Sequence, residues 1–372
     1  MGAPPLSYYE FFAGGGMARL GLGEGWDCLF ANDFDPVKAA AYRANYGDAH
    51  FSSADVWTLG PSDLPGRADL AWASSPCQDF SLAGSRSGLD GPRSSAVVGF
   101  LRLVEKLAGE GRAPATLVIE NVTGLISARG GADFALLAQA LVDLGYRFGA
   151  LEIDAAGFLP QSRPRVFVVA CRQEPPPGLT SAVPAGPFHT RGLAEALKTL
   201  PPELRRRWVW WRLPAPPARN VALEDVLESD APWDSPADTA RLASLMNPLH
   251  RAKLATGAVG AAYRRVRVEE GVRVQRAEVR VDGVAGCLRT PAGGSSRQFL
   301  VREIDGQLRS RLVTPREGAR LMGLPDHYVL PAAATAAWRV VGDGVAVPVV
   351  RWLAERLLEP LLGRDAGVTA AA

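Results

Sequence analysis

Within the first 170 residues, short continuously apolar runs alternate with helical patterns, and this alternation constrains the fold more than any other feature of the chain. The runs lie near 8–12 (YYEFF), 28–32 (CLFAN), 69–74 (DLAWAS), 116–120 (TLVIE) and 166–170 (VFVVA), with amphipathic helical spacing near 17–24, 36–46, 96–109 and 133–144. Strands joined through helices form βαβ units, and strands that are apolar on both faces belong to a parallel sheet covered on both sides. The spacing therefore predicts an α/β, Rossmann-like sheet. At 372 residues the length allows a second, smaller domain. Near 173 the character changes: QEPPPGLTSAVPAGP reads as a linker, followed by the Trp-rich RRRWVWWRLPAPP and a basic stretch in which VRVQRAEVRVDG looks like a strand. Helical patterning returns near 315 in TPREGARLMGL, where Thr314 and Pro315 suit N-cap and N1. The chain then reads as a glycine loop, GDGVAV, and an amphipathic helix. We expect a first domain of 1–175 completed by 338–372, a second of 176–313, and a returning helical hinge over 314–337.

Several classes are excluded early. The longest apolar stretches are interrupted well short of the roughly 20 residues a membrane helix needs, so no membrane partner is expected. MGAPPLSYYE has no basic region before an apolar core, which argues against a signal peptide and for a cytoplasmic location. The four cysteines (28, 77, 171 and 287) form no CxxC pair, so neither a disulfide framework nor a zinc site is expected, and no metal. Net charge is only +2, yet residues 264–311 hold 11 Arg against six acids, +5 in one window and −3 elsewhere. A local basic surface on a nearly neutral chain points to a polyanion.

The run YYEFF leads into FAGGGMARLGLG. Three consecutive glycines, Gly14, Gly15 and Gly16, allow a sharp turn at a strand end and are expected to expose amides and a helix N-terminus to a ligand. Asp33 stands 19 residues after Gly14, at the end of the next predicted strand, where an acid can meet ribose hydroxyls. Asp55 follows a further short segment. This spacing fits a nicotinamide dinucleotide or S-adenosylmethionine alike. Cys28, Cys171 and Cys287 read as small buried residues. Cys77 differs, because SSPCQDFS follows strand 69–74 at the sheet edge where ligands bind, making its thiolate a candidate nucleophile. Glu120 closes TLVIE, and a carboxylate after four apolar residues is partly desolvated and suited to carrying a proton; the bland reading is a solvated strand-end acid. In Gln161-Ser162-Arg163-Pro164-Arg165 the two arginines are expected to point the same way, as a fork for a carbonyl oxygen or phosphate; the bland reading is a surface salt bridge.

Taken in order, the glycine loop, PCQ, ENV and QxRxR resemble the DNA (cytosine-5) methyltransferase family, over residues 8–170 and 311–350. TPREGARLMGLP and GDGVAV look like its later motifs, whereas 176–310 carries no motif that we can match to it. The resemblance implies an S-adenosylmethionine-dependent methyltransferase sheet with a smaller target-recognition domain. It implies S-adenosyl-L-methionine as cofactor, with Phe12, Gly14 and Gly16 lining it, Asp33 on the ribose, Phe34 stacked on adenine, Asp55 and Val56 at the adenine edge, and Pro76 and Asp343 nearby. It implies Cys77 as nucleophile, Glu120 at N3 of the target base, and Arg163 and Arg165 around O2. Met17 and Asp343 depart from the family's usual glycine and asparagine. Double-stranded DNA is the implied substrate of a monomeric enzyme, with a cognate restriction endonuclease as a further partner. Gln78 and Ser81 beside Cys77, and Arg297 and Gln298 in GGSSRQ, are the candidate DNA contacts, with the Trp-rich 205–212 as the other candidate surface. The alternatives are a tRNA cytosine-5 methyltransferase and an inactive DNA-binding relative. Intact Cys77, Glu120, Arg163 and Arg165 argue against the last, and a dehydrogenase would explain the glycine loop only.

Overall fold

The first apolar run forms β1 (Leu6–Phe11), with Tyr9 and Phe11 buried on one face of the strand and Tyr8 and Glu10 on the other. The computed structural model describes residues 4–75, 96–254, 257–269, 271–290 and 297–364. Two units divide the chain: residues 1–153, 164–215 and 349–372 form the first, and 154–163 and 216–348 the second.

In the first unit, β1, β2 (Trp26–Asn32), β3 (Phe51–Ser52), β4 (Leu70–Ser74), β5 (Thr116–Val122), β6 (Arg147–Asp154) and β7 (Pro164–Cys171) form one sheet in the order 3-2-1-4-5-7-6. The helices α1 (Met17–Leu22), α2 (Pro36–Tyr46), α3 (Ala96–Gly109) and α4 (Ala132–Asp143) fall where the apolar spacing puts them. Asp35 caps α2 by accepting from the Val37 and Lys38 amides at 2.9 and 3.3 Å, with Pro36 in the first turn. Phe11, Leu117 and Ile119 pack with Phe100, Leu103, Phe134 and Leu137 of α3 and α4 into the main core.

Two expectations change. The sheet is not wholly parallel, because β7 runs antiparallel to β5, with Val122 opposite Arg165. A parallel crossover needs a dozen or more residues, and the nine of 155–163 between β6 and β7 are too few. Nor does the Pro/Gly-rich stretch near 173 end the first unit. Residues 176–215 stay with it: β8 (Thr180–Ser181) pairs with β9 (Trp210–Trp211), α5 is Arg191–Thr199, and Trp211 is fully buried, its Nε1 donating to Val169 O at 3.1 Å. Gly149 of β6 permits this packing, since a Cβ there would fall on Val209 O and the Trp211 indole. The tryptophans of this stretch therefore pack into the first unit, while Arg205, Arg206, Arg207 and Arg212 stay exposed. At the other end, 338–348 belongs to the second unit and the chain rejoins the first only from 349.

The second unit holds an antiparallel sheet of β10 (Gly260–Glu269), β11 (Val272–Arg280), β12 (Gln298–Ile304) and β13 (Gln307–Leu312), in the order 11-10-12-13. The strand expected in VRVQRAEVRVDG is one arm of a hairpin. Ala262, Ala277, Val279, Phe299 and Val301 pack over Leu242, Met246 and Leu254, whereas Val266, Val268 and Val272 at the far end of the β10–β11 ribbon are exposed. Among the described residues, five of the eleven arginines in 264–311 pair with acids: Arg265 and Arg267 with Glu278, Arg276 with Glu269, Arg280 with Asp282 and Arg311 with Glu317. The predicted cap at 315 is present, Thr314 accepting from the Glu317 amide at 3.2 Å while Glu317 accepts from the Thr314 amide at 2.9 Å. GDG is not a free loop, because helix Ala334–Asp343 runs through it and Gly344 is its C-cap.

Candidate functional site

The glycine turn lies between the end of β1 and α1, and its amides are largely spoken for. Ala13 N donates to Asn32 O at 2.9 Å, Gly14 N to Asp33 Oδ2 at 2.8 Å, and Gly16 N to Ala13 O at 2.8 Å. The expected row of free amides is therefore corrected: what the turn offers is room. Gly14 (φ +58°) has nothing within 4 Å of where a Cβ would stand. Phe12 also takes a positive φ (+56°) and is 9% exposed. Met17, in place of the family's glycine, turns into the core at 1% exposure.

Asp33 fixes this turn to β2. It is buried, its Oδ1 accepts from Asp35 N at 2.9 Å, and burial pushes its carboxyl up against the pull of Lys38. Its neighbour Phe34 is 66% exposed, the reverse of what burial preference gives an aromatic ring, and so a ready stacking platform. Asp55 is exposed and caps a short helical turn by accepting from Trp57 N at 3.0 Å, while Val56 is buried. Beneath the turn, Glu10 is buried at 1% exposure and desolvation pushes its carboxyl up to about 8, opposed by the charge and backbone amide of Arg19.

Further along the sheet, Glu120 lies opposite Ser74 in the β4–β5 ladder. Arg165, across the β5–β7 pair, places Nε 3.2 Å from Glu120 Oε1, with both side chains mostly buried. Asn121 Nδ2 donates to Ser75 O and Oγ at 3.0 and 3.1 Å, tying the end of β4 to the end of β5. Ser75 is the last residue described before 76–95, so Pro76, Cys77, Gln78 and Ser81 lie outside the described residues. Of the other cysteines, Cys28 and Cys171 are buried as expected, whereas Cys287 is half-buried. Burial raises the Cys28 thiol and pushes Cys171 up to about 12, and Cys287 Sγ lies 3.4 Å from Leu288 O.

The two arginines of QxRxR do not form a fork. Arg163 belongs to the second unit, is 2% exposed, and donates to Leu288 O (2.9 Å), Gly342 O (3.0 Å) and Gly344 O (2.6 Å). The intervening Pro164 opens β7, so Arg165 sits in the ladder while Arg163 precedes it. Gln161, which carried no assigned role, is fully buried and joins Leu321 O (2.6 Å) to Leu288 N (3.1 Å). Asp343 is exposed and accepts from Thr290 Oγ1 at 2.5 Å. Gln298, expected at the surface, is 4% exposed and accepts from Gly286 N at 2.7 Å; its place in β12 turns it inward. Arg297, one residue earlier, is exposed and lines a cleft with Arg289, Tyr263 and Trp338.

A model of the C-5 cytosine-specific DNA methylase family matches residues 6–359. The type II methyltransferase M.MspI of a Moraxella species is 25% identical over 362 residues, 95% of this chain and 70% of that protein. M.HpaII of Haemophilus parainfluenzae is 24% identical over 374 residues, covering 96% and 90%. Among solved structures, the S. pombe Dnmt2 methyltransferase aligns with a TM-score of 0.61 at 20% identity, over 96% of this chain and 99% of that one, a likeness of fold.

Proposed function

Because the chain belongs to the C-5 cytosine-specific DNA methylase family, we propose that it methylates carbon 5 of a flipped-out cytosine in double-stranded DNA through a covalent Cys77 adduct at C6. The observation that carries this reading is the Glu120–Arg165 pair, buried at the end of β5 beside the β4 end from which Cys77 follows. S-adenosylmethionine, when bound, supplies an electrophilic methyl group. The residues present fit it. Gly14 leaves open the space a Cβ would fill, exposed Phe34 gives a face for an adenine, and Asp33 keeps lone pairs beyond its two internal bonds for a ribose. The cofactor carries no phosphate, so a turn whose amides are already paired is no obstacle. Asp343, exposed at a helix end, accepts from Thr290 Oγ1.

Carbon 5 of cytosine is a poor nucleophile. Addition of the Cys77 thiolate to C6, with a proton held at N3 by Glu120, leaves an enamine whose C5 is nucleophilic. Arg165 steadies the Glu120 carboxyl and offers donors toward O2. Once C5 has gained the methyl group, loss of the C5 proton to water expels the thiolate and restores the ring. Stacked cytosine is out of reach of this set, which is why the base must leave the helix. Arg163 acts here as a clamp on the Leu288, Gly342 and Gly344 carbonyls. Base-resolution methylcytosine sequencing of DNA from cells expressing the protein tests the reading: a defined sequence context carrying 5-methylcytosine is expected, and unmodified DNA would overturn it. Methylation confined to RNA would favour the tRNA alternative instead.

Two predictions arise from the site. Asp33→Ala removes both the ribose acceptor and the anchor of Gly14, so the Kd for S-adenosylmethionine is expected to rise about tenfold or more, as for lost charged hydrogen bonds. Unchanged affinity by calorimetry would remove Asp33 from the cofactor site. Arg297→Ala is expected to weaken methylation at one base position by about 1–3 kcal/mol if the guanidinium reads a base edge. A uniform loss with a shallower salt dependence would make it a phosphate contact.

A further inference from the structure

α1 is only six residues long and its N-cap, Gly16, supplies no side-chain cap. The turn before it holds a left-handed residue, Gly16 at φ +78°, with local bonds from Gly16 N to Ala13 O at 2.8 Å and from Leu20 N to Gly16 O at 3.0 Å. A further hold, from outside the local chain, comes from α2. Tyr46 Oη donates to Gly16 O at 3.0 Å, and a Cβ at Gly16 would run into the Tyr46 ring, which fills the side of the turn facing α2. One helical turn earlier, Tyr42 accepts from Arg19 Nη1 at 2.9 Å, and the Arg19 guanidinium lies 4.8 Å from the Tyr46 ring centroid. The two tyrosine rings are 5.1 Å apart, and Tyr42 stacks on Phe51 at 4.6 Å. Both ends of the glycine turn are thus fastened to the β2–α2 segment: Gly14 by Asp33 and Gly16 by Tyr46.

We propose that Tyr46 is a positioning residue for cofactor binding, acting through Gly16 to hold the glycine turn in its binding-competent shape. The inference rests on the reading of that turn as the S-adenosylmethionine site. Tyr46 touches the turn and not the space above Gly14, so its effect falls on the fraction of chains whose turn is ready. A ligand's apparent affinity falls in proportion to that fraction. Losing one hydrogen bond that shapes the turn lowers the ratio of ready to unready chains about threefold to tenfold, on the usual scale of such bonds, and the ready fraction falls by up to that factor.

Calorimetry with S-adenosylhomocysteine on the full chain tests this without turnover. Tyr46→Phe keeps the ring and removes only the hydroxyl, and its Kd is expected to rise about threefold to tenfold. In steady-state assays its KM for S-adenosylmethionine should rise by a similar factor, with kcat at saturating cofactor and KM for DNA within about twofold. Tyr46→Leu also removes the face on which Arg19 rests and should weaken binding at least as much. A Kd within twofold of wild type in both variants overturns the proposal, as does a fall in kcat with affinity unchanged. A wild-type chain with no affinity for S-adenosylhomocysteine is a separate result, and overturns the reading of the turn itself.

Discussion

A Cys77→Ala chain is expected to lose at least about a hundredfold of its turnover while binding S-adenosylhomocysteine near normally. Without the sulfur no C6 adduct forms, and C5 stays a weak nucleophile whatever else is in place; losses of covalent catalysis are of this order or larger. Affinity should survive because the cofactor contacts proposed above come mainly from the β1 and β2 loops, not from this side chain. DNA carrying 5-fluorocytosine at the target base should trap wild type as a covalent complex, since fluorine at C5 cannot leave as a proton, and Cys77→Ala should show no such band. Retention of more than about a hundredth of wild-type activity would sink the covalent mechanism.

Arg311→Met should destabilise the protein by about 3–5 kcal/mol, the usual cost of breaking a buried ion pair by removing one partner. Arg311 Nη1 and Nη2 reach the two Glu317 oxygens at 2.8 and 2.5 Å, with the side chains 4% and 0% exposed. Glu317 also accepts from the Glu228 and Thr314 amides, each at 2.9 Å, and Arg311 lies 5.2 Å from the Trp233 ring centroid. The substitution leaves a carboxylate in the interior facing two amides, without the guanidinium that paired with it. Urea unfolding followed by fluorescence measures the loss. The double variant Arg311→Met with Glu317→Leu should recover a good part of it, because the uncompensated charge is then gone. A single variant within about 1 kcal/mol of wild type would mean that water reaches Glu317 in solution.

Much of the site was legible because its signals are local. A glycine turn after an apolar run, an acid 19 residues on, and an acid closing TLVIE each depend on a few neighbouring residues. So does the Thr314 cap, since capping is decided within one helical turn. Strands β1, β2, β4, β5 and β7 were legible because both of their faces are buried and the runs stay apolar. β6 was missed, since RFGALEID mixes apolar residues with Gly149 and Glu152.

Tertiary structure alone decided which partner each polar group takes. Arg163 and Arg165 are two residues apart and chemically alike, yet one clamps three carbonyls in the second unit and the other pairs with Glu120 in the first. Five arginines of the basic window turned out to be paired, Trp210 and Trp211 of the Trp-rich stretch turned out to be core, and Gln298 turned inward. The hold of Tyr46 on Gly16 spans 30 positions of chain. Local propensity and hydrophobic period act over a handful of residues and so can be read in one dimension. A buried hydrogen bond or ion pair is stable only when the fold brings its second atom within about 3 Å, a condition set by the packing of distant segments.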